Sequence, residues 1–305
     1  MAKIVILGNS AAGFSCCDTL VKSSQDNEIT LISQENYPAY RKTLLIDYLA
    51  DKVKVDELFL CTQDYYEKNR IKFLKNSKVV RLDTKKKLVI LKDNTKINYD
   101  YLVIATGQKV IIPDIPGNNK DGIFAVNTLE DIEKIKLRLM LLDVVCIVGE
   151  EKRILSLLEV IATRNKEIKI ICKSSPESFI PQEKIEWISE AALTEIIGEG
   201  SELKAVKLSN GKAIGVSLVL FAGDYQPSTD FLKESGINIY KDYILVNQNL
   251  KTNFPEIFAC GSVCKIENNL REQKSWEEAS NEGVLVAHNL IAILERGKSI
   301  CQPMS

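Results

Sequence analysis

The chain has 305 residues, 45% hydrophobic and 27% charged, enough for two packed domains of ordinary globular composition. Its 40 basic and 41 acidic side chains leave a net charge of -1, so no bulk field draws it to nucleic acid or to an anionic membrane. One histidine, His288, lies in an apolar helical run and reads as packing, which nearly excludes histidine acid–base chemistry and His-rich metal sites.

Met1-Ala2-Lys3 runs almost directly into a strand, Ile4–Leu7, leaving no room for a signal peptide. No apolar stretch approaches the roughly 18 residues of a spanning helix. Both points predict a cytoplasmic protein with no membrane partner. Cysteines 16, 17, 61, 146, 172, 260, 264 and 301 are scattered, mostly through apolar segments, and form no C-x-x-C pair. They are expected to be buried, reduced thiols with no metal role.

After the first strand comes Gly8-Asn9-Ser10-Ala11-Ala12-Gly13, then a helix over Ala12–Val21 and a strand over Glu28–Ser33, the order of a βαβ unit. In such a turn glycines let the backbone bend tightly and approach a pyrophosphate, which rests on the amides of the helix N-terminus. Gly8 and Gly13 hold the first and third positions of G-x-G-x-x-G, Ser10 replaces the middle glycine, and Ala11 and Ala12 keep the approach open. Without a ligand the same residues would still make a tight β–α turn. An acid near the end of the second strand should accept from ribose hydroxyls. Glu35 is the candidate, although Ser33 lies nearer the strand end and Glu35 also reads as a solvated loop carboxylate.

Val79–Leu82 and Leu88–Leu91 read as paired short strands around a solvated Lys85-Lys86-Lys87 tip. Tyr101–Ala105 is a further strand, ending in Thr106-Gly107. Pro113 and Pro116-Gly117 then break the chain at a domain crossing. Beyond it, a helix over Thr128–Leu139, a strand over Val144–Val148, a helix over Ile154–Arg164 and a strand over Ile168–Cys172 repeat the βαβ order. Leu203–Leu208 and Val216–Ala222 read as a meander edge and a returning strand joined by Asn210-Gly211. Pro227 marks the way back. Ile244–Val246 and Ile257–Cys260 are short strands, and Trp276–Leu294 is a long helix broken only by Gly283.

The second turn reads Gly149-Glu150-Glu151-Lys152-Arg153-Ile154. If Gly149 takes the first glycine position, Glu151 and Ile154 take the others; shifted by one, they become Val148, Glu150 and Arg153. Neither register keeps more than one glycine. Two carboxylates would face a dianionic pyrophosphate, and bulky side chains would block the backbone approach.

The order of Gly8–Gly13, Tyr37-Pro38-Ala39-Tyr40-Arg41-Lys42, Tyr101-Leu102-Val103-Ile104-Ala105-Thr106-Gly107 and Thr252-Asn253-Phe254-Pro255-Glu256-Ile257-Phe258-Ala259-Cys260-Gly261-Ser262 resembles one family. That family is the FAD-dependent pyridine nucleotide–disulfide oxidoreductases, particularly the NADH:rubredoxin reductase and nitrite reductase flavoprotein branch. The resemblance implies an α/β fold of two Rossmann-like, glutathione reductase-type domains. An FAD domain in two parts, 1–112 and 227–305, would be interrupted by a reduced NAD(P)H-binding-like domain, 113–226. Gly8, Ser10, Ala11, Ala12 and Gly13 would hold the FAD pyrophosphate, with Arg41 and Lys42 beside the phosphate and flavin. Val79 would offer backbone groups to the adenine, and Ala105, Thr106 and Gly107 would pass close to the cofactor. Gly261 and Ser262 would meet the ribityl chain. The stretch from Trp276 through Ala279 to Gly283 would aim a helix N-terminus at the flavin, Trp276 itself reading equally as core.

The chain departs from that family in several places. The residue after Gly261 is usually Asp; Ser262 should weaken FAD binding by about 1–3 kcal/mol without abolishing it. Lys173-Ser174-Ser175 stands where the nicotinamide domain would carry its ribose-binding acid, and the chain from Ile180-Pro181 to Leu193 reads as shortened. The redox cysteine pair is missing, since Lys42–Tyr48 contains no cysteine, and the family's C-terminal dimerisation domain is expected to be absent. The function expected is a flavoprotein electron-transfer component, exchanging electrons with an iron–sulfur or ferredoxin-like partner protein in place of NAD(P)H at the usual site. The alternatives are an NAD(P)H:acceptor oxidoreductase with a non-standard nicotinamide site, and a non-catalytic flavin-binding subunit or redox sensor.

Overall fold

The computed structural model describes residues 1–23, 26–172, 183–267 and 274–300. The elements that position the candidate sites are, in chain order, β1 (Lys3–Leu7), α1 (Ala11–Ser23), β2 (Glu28–Ile32), β3 (Lys72–Leu74) and β4 (Tyr101–Ile104). Next come β5 (Ile123–Ala125), α2 (Leu129–Leu141), β6 (Val144–Gly149), α3 (Glu151–Ala162), β7 (Glu167–Ile171), β8 (Ile185–Ile188) and β9 (Leu218–Ala222). Last are β10 (Ile257–Ala259), β11 (Cys264–Ile266) and α4 (Trp276–Ile300).

The chain forms two compact units. Met1–Arg41, Phe59–Gln108 and Pro227–Ser305 make the first; Lys42–Leu58 and Lys109–Gln226 make the second. The crossing expected at 112/113 falls at Gln108/Lys109, and the Lys42–Leu58 segment, which local pattern places with the first part, belongs with the second unit.

The first unit is built on a five-stranded sheet of order β10-β4-β1-β2-β3, parallel throughout. Ile4, Val5, Ile6 and Leu7 of β1 are all buried, so the strand is an unbroken apolar run without alternation, as a sheet covered on both faces requires. Register aligns Leu7 with Ile32 and Ile104, and Ile104 with Ala259. The turns after these four strands therefore leave from one end of the sheet, where ligands of open parallel sheets bind. Helix α1 buries Ala12, Cys16, Cys17 and Leu20 and packs against α4, with Ser15 and Ser280 hydroxyls 2.7 Å apart. A separate antiparallel sheet of strands 79–83, 88–91 and 96–98 carries the lysine hairpin, whose Lys87 pairs with Glu256 at 3.1 Å.

The second unit repeats the parallel plan with order β8-β7-β6-β9-β5. A short helix, Leu45–Leu49, joins it through polar contacts at its C-terminal end. The Leu49 carbonyl accepts from Arg164 at 2.5 Å, Lys136 of α2 lies 4.4 Å from the centre of the Tyr48 ring, and Asp51 pairs with both Lys136 and Arg164.

Four readings change. Helix α4 runs unbroken through Gly283, because that glycine serves helix–helix contact and not a helix end. His288 is exposed: Val286, Ala287 and Leu290 carry the buried face, and position 288 turns to solvent. The Asn210-Gly211 turn joins strand 202–208 to strand 213–215 in a small antiparallel sheet, while β9 is a parallel strand of the other sheet. Helix α3 also starts three residues earlier than the apolar pattern suggests, at Glu151.

Candidate functional site

The first turn is held together by contacts that only glycine allows. A Cβ on Gly8 would stand 2.2 Å from the Ala105 carbonyl oxygen, and one on Gly13 would stand 1.9 Å from the Gly8 oxygen. Strand, turn and helix thus close on one another, and the close packing continues at Ala11 and Ala12, both buried. The first bond of α1 runs from Phe14 N–H to the Ser10 carbonyl, 2.8 Å. By helix geometry the amides ahead of it have no partner within the helix, and α1 has no acidic residue in its first turn to fill the positive end. This is a cradle for an anion on bare backbone, and the residues fit a cofactor pyrophosphate.

Around it, Tyr66 acts as a post. Its buried hydroxyl donates to Asn9 Oδ1 at 3.1 Å and accepts from Asn9 Nδ2 at 2.8 Å and from the Ala39 amide at 2.9 Å, tying the turn to segment 33–41. Burial and hydrogen bonding to Cys61 push the Tyr66 phenol upward, so it is a neutral donor. Ser33 follows β2 directly, and its hydroxyl accepts from the Glu35 amide at 3.1 Å. Glu35 is half-buried and accepts from the Tyr40 hydroxyl at 2.5 Å. Arg41 is exposed at the end of this segment, in the first unit; Lys42 opens a 3-10 turn assigned to the second.

On the other side of the cradle, Ala105 is buried and the Thr106 hydroxyl donates to the Ser228 carbonyl at 2.9 Å. Gly107 adopts φ +64, a conformation that favours glycine. Val79 begins strand 79–83, half-buried against the main core. The Gly261–Ser262 turn follows β10 and meets α1: a Cβ on Gly261 would lie 3.0 Å from that of Ala12 and 3.8 Å from that of Ala279. Gly283 completes the convergence, since its Cβ would lie 2.1 Å from the Ala12 oxygen. Residues 8–13, 105, 261, 279 and 283 are thus brought together by direct packing. Trp276 packs against the same core.

The second turn is one residue shorter. On its strand side Gly149 copies Gly8: a Cβ there would stand 2.1 Å from the Ala222 oxygen, as one on Gly8 would from Ala105. On its helix side the first α3 bond spanning four residues, Ile154 N–H to the Glu150 carbonyl, corresponds to Phe14 on Ser10, and the Arg153 amide reaches the same carbonyl at 3.0 Å. Arg153 therefore stands where Gly13 does, and three residues separate it from Gly149 where four separate Gly13 from Gly8. Neither register read from the sequence holds along the whole turn. The Glu150 amide is consumed by the Ala222 carbonyl at 3.1 Å. Glu150, Lys152 and Arg153 are exposed around the turn, with the Arg153 guanidinium 4.6 Å over the Tyr225 ring. Ile154 is fully buried and takes no part in a phosphate approach. Residues 173–175, 180 and 181 lie outside the described residues.

Cys16, Cys17, Cys146, Cys172, Cys260 and Cys264 are buried and unpaired, and Cys61 is half-buried. Burial pushes the thiols of Cys146 and Cys264 up to about 12, so they stay protonated. Among the described residues no group of three or more His, Cys, Asp or Glu side chains could hold a metal, and no helix is long and apolar enough to cross a membrane.

Comparison with known proteins agrees with the architecture. The pyridine nucleotide-disulphide oxidoreductase family matches residues 2–150 and 163–283; the interval between the two stretches is α3. An NADH oxidase of Methanocaldococcus jannaschii is 27% identical over 95% of this chain and 70% of its own. The NADH-rubredoxin oxidoreductase of Clostridium acetobutylicum is 30% identical over 86% of this chain and 68% of its own. The chain spans between 34% and 51% of three other relatives, among them a Bacillus subtilis assimilatory nitrate reductase electron transfer subunit. A putidaredoxin reductase–putidaredoxin complex superposes with a TM-score of 0.85 at 19% identity, over 95% of this chain and 75% of that one, which shows a shared fold. The chain belongs to the pyridine nucleotide-disulphide oxidoreductase family, whose members are FAD-binding flavoproteins with Rossmann-like domains.

Proposed function

We propose that the chain is a flavoprotein electron-transfer component. FAD is held by the first unit, electrons are exchanged with an iron–sulfur or ferredoxin-like protein, and NAD(P)H does not bind at the usual place in the second unit. The observation that carries this reading is the contrast between the two turns. One presents free amides in a glycine-lined cradle, while the other is a residue short, has an amide already bonded and is ringed by charged side chains.

FAD supplies one- and two-electron chemistry when bound. The amides of Ser10, Ala11, Ala12 and Gly13, beside Gly8, hold the pyrophosphate, and Glu35 accepts from the ribose. Val79 offers backbone groups to the adenine, and Ala105, Thr106 and Gly107 pass the cofactor closely. Gly261 and Ser262 meet the ribityl chain. Arg41 sets positive charge against phosphate and reduced flavin, and Lys42, which opens the second unit, is left out of the site. Ala279 and Gly283 seat the first turns of α4, whose N-terminal end favours negative charge. In domain terms, Met1–Arg41, Phe59–Gln108 and Pro227–Ser305 serve the flavin, and Lys42–Leu58 with Lys109–Gln226 form a degenerate nucleotide domain that keeps its sheet.

Support for a protein partner comes from relatives whose names pair them with putidaredoxin and rubredoxin. The second of these names also carries NADH, as does that of the NADH oxidase, which favours a second reading: reduction by NAD(P)H at a non-standard site. The flavin half is tested by the visible spectrum of the purified protein before and after addition of FAD. A flavin spectrum is expected; neither bound flavin nor uptake would refute it.

A further inference from the structure

Both polar backbone groups of Gly261 are held by a single ion pair. Its N–H donates to Glu282 Oε2 at 2.7 Å, and its carbonyl accepts from Lys274 Nζ at 3.1 Å. Lys274 Nζ closes the triangle on Glu282, 2.7 Å from Oε1 and 2.9 Å from Oε2. The two side chains are only 14% and 17% exposed. An ion pair this far out of water gains little for folding over a well-packed apolar pair, because desolvation offsets most of the attraction. What it does supply is direction. It fixes the peptides on both sides of a residue with φ +78, in the turn that packs on Ala12 of the anion cradle. Ser262, next in the chain, is half-buried, and its hydroxyl makes no hydrogen bond among the described residues. The clamp thus fixes the peptide that precedes this unspent hydroxyl, in the turn that packs on the cradle.

We infer that Lys274 and Glu282 are positioning residues for the flavin, holding the Gly261 peptide so that the Ser262 hydroxyl meets the ribityl–phosphate chain. The inference rests on the flavin site proposed above. It explains how a short, neutral side chain at 262 serves there: rigidity of the turn replaces the reach and charge of a carboxylate. Glu282 does two jobs, accepting from Gly261 and neutralising Lys274, whereas Lys274 shares the Gly261 carbonyl with the Cys264 amide, which donates to it at 3.3 Å.

The test is a double-mutant cycle on FAD affinity, read by flavin fluorescence on titrating apoprotein, with apoprotein thermal unfolding measured in parallel. Lys274→Met is expected to weaken FAD binding by about tenfold to a hundredfold, the range for a hydrogen bond to a charged group. Ser262→Ala should weaken binding in the native background and have little further effect beside Lys274→Met, since the hydroxyl is no longer aimed. Glu282→Gln, which keeps an acceptor for the Gly261 amide, should fall between native and Lys274→Met, and Lys274→Arg should restore most of the affinity. If Lys274→Met does not fold, the same cycle is run with Glu282→Gln. Two results would overturn the inference: unchanged FAD affinity in a folded clamp variant, or a Ser262→Ala effect of equal size in both backgrounds. A native protein that takes up no FAD fails differently, by removing the flavin site on which the inference rests.

Discussion

Gly283→Ala separates close packing from helix propensity, because the two predict opposite signs. Position 283 lies inside the continuous helix α4, where alanine is favoured over glycine by about 1 kcal/mol. The added Cβ would stand 2.1 Å from the Ala12 oxygen, 2.9 Å from its carbonyl carbon and 3.0 Å from its Cα. These are backbone atoms and cannot turn aside, and an unstrained carbon–oxygen contact needs about 3.3 Å. The two helices must therefore separate by roughly 1 Å, an overpacking that costs about 1–3 kcal/mol. Packing outweighs propensity, and the variant should lose up to about 2 kcal/mol in urea unfolding of the apoprotein. Because Ala12 belongs to the anion cradle, FAD affinity should fall as well, by more than the shift in folding accounts for. A variant that is more stable than the native protein, with unchanged FAD affinity, would refute the packing argument.

Other perturbations reach different parts of the molecule. Tyr66→Phe removes the hydroxyl that bonds Asn9 and the Ala39 amide, and should cost about 1–3 kcal/mol by chemical denaturation; a neutral effect would mean that the post bears no load. The hydrogen bond and charge of Lys136, together with Arg164, hold the Asp51 carboxyl below its usual range. A depressed acid stabilises the fold above its unfolded value of about 3.9, and the contribution is lost as pH falls through the folded value. Asp51→Asn should therefore be destabilised near neutrality by no more than about 0.5–1 kcal/mol, since Asp51 is 59% exposed, and the gap should close in acid. A gap that widens in acid would contradict the assignment. Cys16, Cys17, Cys146, Cys260 and Cys264 should resist a thiol reagent at pH 8 until the protein unfolds, their thiols being raised by burial; rapid labelling in the native state, located by peptide mapping, would contradict it.

What could be read from the chain alone was what depends on local pattern. Ile4–Leu7 before Gly8, and Tyr101–Ile104 before Ala105-Thr106-Gly107, carry their meaning in a few consecutive residues, so these strands and the turns that follow them were legible. The shortened second turn was not. Whether Gly149 or Val148 matches Gly8 depends on which carbonyl of β9 the glycine faces, a contact across more than 70 residues. The Lys274–Glu282 clamp escaped for the same reason, since its target is a backbone peptide on another element. Nor could apolar periodicity announce that Lys42–Leu58 joins the second unit, because polar contacts at Leu49 and Asp51 secure it there. His288 misled because a mostly apolar run reads as buried all round, whereas the helix covers one face only.

The central claim is that flavin chemistry here is uncoupled from the usual nicotinamide site, and anaerobic rapid mixing tests it most directly. FAD-loaded protein is mixed with NADH, with NADPH and with a chemical reductant while flavin absorbance is followed. Bleaching by the chemical reductant alone is predicted, with the nicotinamides inert on the timescale of turnover. Fast bleaching by NADH or NADPH would contradict it.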